Sequence, residues 1–145
     1  MKKVMFVCHG NICRSTMAEA VLRHLAKESN TSLCIDSSGV SDEERGNPIH
    51  RGTVNELNKH HIPFQSHRAQ QITQSDFDTF DHIICMDRGN LYQLHQMFGP
   101  SSKIELLLER DVADPWYTGN FSQTWSDIWT GCHHLLRRFQ SEEKA

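Results

Sequence analysis

The chain has 145 residues, 37% hydrophobic and 23% charged, with a formal net charge of −3. Such a length suits a single domain, residues 1–145, with one sizeable core. No apolar run approaches bilayer length, and the charge gives no general basic surface for nucleic acid, so neither membrane nor nucleic acid is expected as a partner.

In chain order, Lys3–Cys8 reads as a buried strand; the apolar run ending at Cys8 is too short for a signal-peptide core. A loop, His9–Arg14, follows. Ser15–Ser29 has helical spacing, with Met17, Ala18, Val21, Leu22 and Leu25 on one face and Glu19 four residues before Arg23. Ser32–Ser37 reads as a strand, Ser41–Asn47 as a polar loop with a turn at Gly46-Asn47-Pro48, and Thr53–His60 as a helix. Ser75–Phe80 suits a short helix, His82–Met86 a strand, Asn90–Met97 a helix and Lys103–Leu107 a fourth strand. A final helix over Phe121–Phe139 carries Trp125, Ile128, Trp129, Cys132, Leu135, Leu136 and Phe139 at helical spacing, with Asn120 and Gln123 as its capping signal. Strands alternating with helices predict an α/β fold, a parallel four-stranded sheet with helices on both faces, whose ligand sits beyond the carboxyl ends of the strands.

The five cysteines, Cys8, Cys13, Cys34, Cys85 and Cys132, form an odd set with no secretion signal. That predicts a reducing, cytoplasmic setting rather than a disulfide framework. Cys34, Cys85 and Cys132 fall in apolar patterns and are expected to be inert core residues. His60-His61 and Cys132-His133-His134 lack finger-like ligand spacing, so solvated surface is expected there and no metal.

The loop after the first strand reads Cys8-His9-Gly10-Asn11-Ile12-Cys13-Arg14-Ser15. Amide groups of a tight loop entering a helix converge on an anion, and the helix dipole adds positive potential. The same field favours a thiolate at Cys8. Arg14 offers a planar fork for two phosphate oxygens, and the Ser15 hydroxyl can donate to the Cys8 sulfur. Gly10 and Asn11 suit backbone angles that most residues avoid. No Gly-Lys-Ser/Thr follows, so this is not a nucleotide-binding loop.

This loop resembles that of the low-molecular-weight protein tyrosine phosphatases. The resemblance runs from Val4 to about Phe139 and includes Asp36-Ser37-Ser38-Gly39, His67-Arg68-Ala69-Gln70-Gln71, Cys85-Met86-Asp87 and Asp114-Pro115-Trp116-Tyr117. It implies a flavodoxin-like sheet, a phosphocysteine on Cys8, phosphate bound by residues 9–15 and by Arg14 above all, and no cofactor. A phenol leaving group needs an acid, and the resemblance assigns that role to Asp114, which Pro115 biases towards an extended backbone. It also gives Asn11, Ser15, Ser37 and His67 the task of holding the loop, and Asp87 a structural ion pair. Trp116 and Tyr117 become one wall of a cleft deep enough to favour phosphotyrosine over phosphoserine. The opposite wall is the Ser41–Asn47 loop, where many relatives carry an aromatic residue. Here Asp42-Glu43-Glu44-Arg45 stands instead, which predicts discrimination against acidic flanking sequences.

The expected substrates are phosphotyrosine proteins, and the expected state is a monomer or weak dimer. Related phosphoarginine phosphatases carry Thr where Ile12 stands, so Ile12 and the aromatic pair favour phosphotyrosine. Cys13 is the expected redox partner of Cys8. The other readings are a protein arginine phosphatase, a thioredoxin-coupled arsenate reductase, which would need a relay of further cysteines, and a non-catalytic phosphate-binding module.

Overall fold

The computed structural model describes residues 1–144. Strands β1 (Lys2–Cys8), β2 (Leu33–Gly39), β3 (His82–Cys85) and β4 (Ile104–Leu106) form one parallel sheet in the order β2-β1-β3-β4. The helices are α1 (Arg14–Glu28), α2 (Arg51–Lys59), α3 (Gln74–Thr79), α4 (Arg88–Phe98), α5 (Pro115–Thr118) and α6 (Phe121–Lys144). This is the expected flavodoxin-like winding. The chain moves outward from β1 to β2, then returns past β1 to β3, so the strand order reverses beside the loop that leaves Cys8.

Side chains alternate across β1, as the two-residue period of a strand requires. Val4, Phe6 and Cys8 face the layer of α1, α2 and α6, where they meet Met17, Val21, Leu57, Ile128 and Cys132. Met5 and Val7 face the other layer, with Phe77 of α3 and Leu94 of α4. Both faces of the sheet are therefore covered, and the central strand is apolar and buried from Val4 to Cys8.

Most boundaries fall within two residues of expectation, and the differences have local causes. Helix α2 starts at Arg51 because His50 Nδ1 accepts the Gly52 N–H at 2.9 Å, a cap the hydrophobic pattern does not reveal. Strand β2 runs on to Gly39, which pairs with Cys8. Helix α6 continues past Phe139 to Lys144, and Gln123 N–H is capped by Asn120 Oδ1 at 3.0 Å. Helix α5 was not expected; Pro115 in its first turn, the Asp114 cap and left-handed Gly119 at its end define a single turn, too short to show periodicity.

Cys85 and Cys132 lie fully in the core, whereas Cys34 is half-buried on β2. The paired histidines are not uniformly solvated. His60 stacks on Trp125 at 3.9 Å and His133 meets Trp129 edge-on at 4.4 Å, while His61 and His134 are exposed. Among the described residues, no helix is long and apolar enough to cross a membrane.

Candidate active site

The loop from Cys8 to Arg14 rides directly over the end of β2. Val40 N–H donates to Cys8 O at 3.0 Å and Ser41 N–H to His9 O at 3.0 Å. A Cβ on Gly39 would lie 2.6 Å from His9 O and 3.2 Å from Asn11 N, so only glycine lets the two backbones approach this closely. Helix α1 begins at Arg14 with no side-chain cap on its first turn and no acidic residue there. The first-turn N–H groups of such a helix have no intrahelical partner and, with the helix dipole, suit an anion.

Cys8 is buried and its Sγ lies 3.0 Å from Ser15 Oγ. As a thiol it donates to Ser15; once ionised it accepts from the Ser15 hydroxyl instead. Asn11 sits in the left-handed region at φ 61°, buried to 1% exposure. Its amide nitrogen donates to Ser15 Oγ at 2.8 Å and to Ser37 Oγ at 3.1 Å. Its carbonyl accepts Gln70 N–H at 3.1 Å and lies 2.7 Å from His67 Nε2. An amide oxygen only accepts, so His67 carries a proton on Nε2. Ser37 in turn donates to Glu19 Oε1 at 2.6 Å. The expected loop-supporting residues thus form one connected network.

Arg14 is almost wholly buried, yet both ends of its fork are engaged. One nitrogen donates to Val112 O at 3.0 Å and pairs with Asp87 Oδ2 at 2.9 Å; the other meets Asp114 Oδ2 at 3.3 Å. Burial acts to lower its affinity for its proton, but the negative groups at Cys8, Asp114 and Asp87 outweigh it and raise the pKa above the usual arginine value. Asp114 has the extended backbone imposed by Pro115, and its other oxygen accepts Trp116 N–H at 3.1 Å. Cys13 is different: burial first, then the charges at Cys8 and Asp114, push its pKa up to about 12.

These groups surround a cavity of about 310 Å³, within the usual range of small-ligand sites. Cys8, His9, Gly10, Ile12, Cys13 and Arg14 form its floor. Trp116 and Tyr117, 59% and 84% exposed, line it as well, as do Glu43 and Glu44. Of the residues expected to hold the phosphate, His9, Gly10, Ile12, Cys13 and Arg14 line the cavity, whereas Asn11 and Ser15 are buried behind it.

Several contributors, Gly89 and Asn90 of α4 among them, were not read from sequence as part of the site. Glu19 anchors Ser37 while also making the expected pair with Arg23, at 2.9 Å. Asp87 caps α4, accepting Asn90 N–H at 2.7 Å, with the same carboxylate that holds Arg14. Gln93 lines the cavity from the next turn of α4. Asp87 carried the signal of a structural ion pair and Glu19 that of its helical pair with Arg23; neither signal pointed to the loop.

Fold and site together define an α/β protein in which a thiol, a guanidinium and a carboxylate converge on an anion-binding loop. A family model for low molecular weight phosphotyrosine protein phosphatase matches residues 3–145, and the chain belongs to that family. It is 42% identical to the low molecular weight protein-tyrosine-phosphatase YfkJ of Bacillus subtilis (strain 168), with 99% of each chain covered. The crystal structure of YfkJ superposes with a TM-score of 0.95, covering 98% of this chain and 96% of that one. The low molecular weight protein tyrosine phosphatase SP-PTP of Streptococcus pyogenes is 44% identical, with a TM-score of 0.89 and coverage of 95% and 93%. The Drosophila arginine phosphatase DARP is also similar, at 32% identity, a TM-score of 0.87 and coverage of 96% and 98%.

Proposed function

We propose that the protein hydrolyses phosphotyrosine in protein substrates, and small aryl phosphates, through a phosphocysteine on Cys8. One observation carries this reading: Cys8, backed by the Ser15 hydroxyl, and the buried Arg14 line one cavity together with Asp114, Trp116 and Tyr117.

In the first step the Cys8 thiolate attacks phosphorus in line. The S–P bond forms as the bond from phosphorus to the phenolic oxygen breaks, and the departing oxygen takes the proton of the Asp114 carboxyl. Arg14 and the loop amides hold the equatorial oxygens throughout, supplying the positive field this chemistry needs. In the second step the Asp114 carboxylate takes a proton from water, whose oxygen bonds to phosphorus. The S–P bond breaks, inorganic phosphate leaves, and the Ser15 hydroxyl stabilises the returning thiolate.

The aromatic rims suit a flat ring set back from the phosphate, which phosphoserine lacks. Ile12 on the floor favours the same substrate over phosphoarginine. Cys85, fully buried in β3 with its pKa pushed up to about 12, chiefly by burial, does not suit the relay thiol of an arsenate reductase. A reducing compartment suits a catalytic thiol, so we place the enzyme in the cytoplasm. Under peroxide, a sulfenic acid on Cys8 would condense with the Cys13 thiol, releasing water and forming a reversible disulfide; peptide mapping that finds Cys8 only as sulfonic acid rejects this.

The decisive test is a panel of phosphotyrosine, phosphoserine and phosphoarginine peptides with the purified protein. Turnover of phosphotyrosine alone, abolished in Cys8→Ser, is expected. Faster turnover of phosphoarginine, or activity surviving in Cys8→Ser, overturns the reading.

A further inference from the structure

Both backbone polar groups of Ala113, the residue before Asp114, are held by α6. Its N–H donates to Asp127 Oδ2 at 3.2 Å, and its carbonyl accepts from Thr124 Oγ1 at 2.9 Å. Asp127 and Thr124 are 3% and 0% exposed, and neither lines the cavity.

A carboxylate buried this deeply is costly unless its lone pairs are used. Here every one of its partners belongs to α6 or to the segment that leads into Asp114. Arg110 grips both oxygens in a fork, at 2.7 and 3.2 Å, while also donating to Asp111 O at 3.1 Å. Gln123 adds a bond to Oδ1 at 2.9 Å. Burial acts to raise the Asp127 pKa, but the bonds from Arg110, Ala113 N–H and Gln123 outweigh it and hold the carboxyl below its usual range. From the opposite side, Val112 N–H donates to Met86 O at 2.8 Å and Val112 O accepts from Arg14. Residues 110–113 are thus strapped between α6 and the end of β3, and the next residue is Asp114.

We propose that Asp127, seconded by Thr124, is a positioning residue for the acid: by fixing Ala113 it sets where the Asp114 carboxyl stands over the cavity. The inference rests on Asp114 acting as the general acid. A group that only stabilised the fold would affect all substrates alike. A group that aims the acid should matter most where protonation matters most, with poor leaving groups.

The experiment is kcat/KM over aryl phosphates whose phenols run from dinitrophenol to unsubstituted phenol, for wild type, Asp114→Asn, Asp127→Asn and Thr124→Val. Asp114→Asn should steepen the dependence on leaving-group acidity. Asp127→Asn should lose about tenfold on phenyl phosphate and less than about twofold on the dinitrophenyl ester, with competitive inhibition by inorganic phosphate unchanged. Thr124→Val should shift the slope in the same direction by less, and decides the matter alone if Asp127→Asn does not fold. If Asp114→Asn leaves the slope unchanged, Asp114 is not the acid and both readings fall. If Asp114→Asn steepens it while the folded Asp127 and Thr124 variants keep the wild-type slope or lose equally on every ester, the clamp serves stability only and this inference alone is overturned.

Discussion

At the scale of single residues, Asn11 does two things that substitution can separate. Its left-handed backbone shapes the loop, and its amide bridges Ser15, Ser37, Gln70 and His67. Asn11→Gly keeps the backbone freedom but removes the bridge; Asn11→Ala removes both and adds roughly 1 kcal/mol of strain. Both variants are expected to lose at least about tenfold in kcat/KM because Ser15 is no longer oriented beneath the sulfur. Only Asn11→Ala should add the strain to the loss of thermal stability. An active Asn11→Gly enzyme would show that backbone shape alone matters. Cys8, Arg14 and Ser15 were legible in the sequence because each residue type has a distinct task at a phosphate. Glu19 was not, since its helical spacing advertises only the pair with Arg23, and its bond to Ser37 exists only once β2 lies against α1.

At the scale of elements, the junction of β2 with the loop is the narrowest tolerance in the site. Gly39→Ala would force a methyl group into the His9 carbonyl and the Asn11 amide, both backbone atoms with little room to yield. The expected result is a folded protein with a displaced loop: phosphate affinity down at least about tenfold, and stability down by about 1–3 kcal/mol. Phosphate titration and thermal unfolding measure the two, and an unchanged phosphate affinity would refute the argument. The strands and long helices were readable because burial repeats along them every two residues or every three to four. The α5 turn was hidden. Its Asp-Pro start reads equally as a surface turn, and its role depends on Arg14, which lies one hundred residues away in sequence.

At the scale of the molecule, stability should fall at both ends of the pH range for different reasons. Asp127 has a lowered pKa in the folded state, so its contribution is present above the unfolded carboxylate value and lost as pH falls through the folded one. Cys13, Cys85 and Cys132 have raised values, all chiefly through burial. Their contribution is present below the unfolded thiol value and lost as pH rises towards the folded ones. Thermal midpoints should therefore be level near neutrality and drop below about pH 4 and above about pH 9. Asp127→Asn should flatten the acid limb and Cys132→Ala the alkaline limb; limbs unchanged by these substitutions would point to other groups.

The same strapping of residues 110–113 to α6 has a consequence for a chain still being synthesised. Its nucleophile emerges from the ribosome well before the proton donor, which has no fixed address until α6 settles against α1. Competence to release a phenol would therefore switch on with the docking of α6 rather than grow gradually during translation.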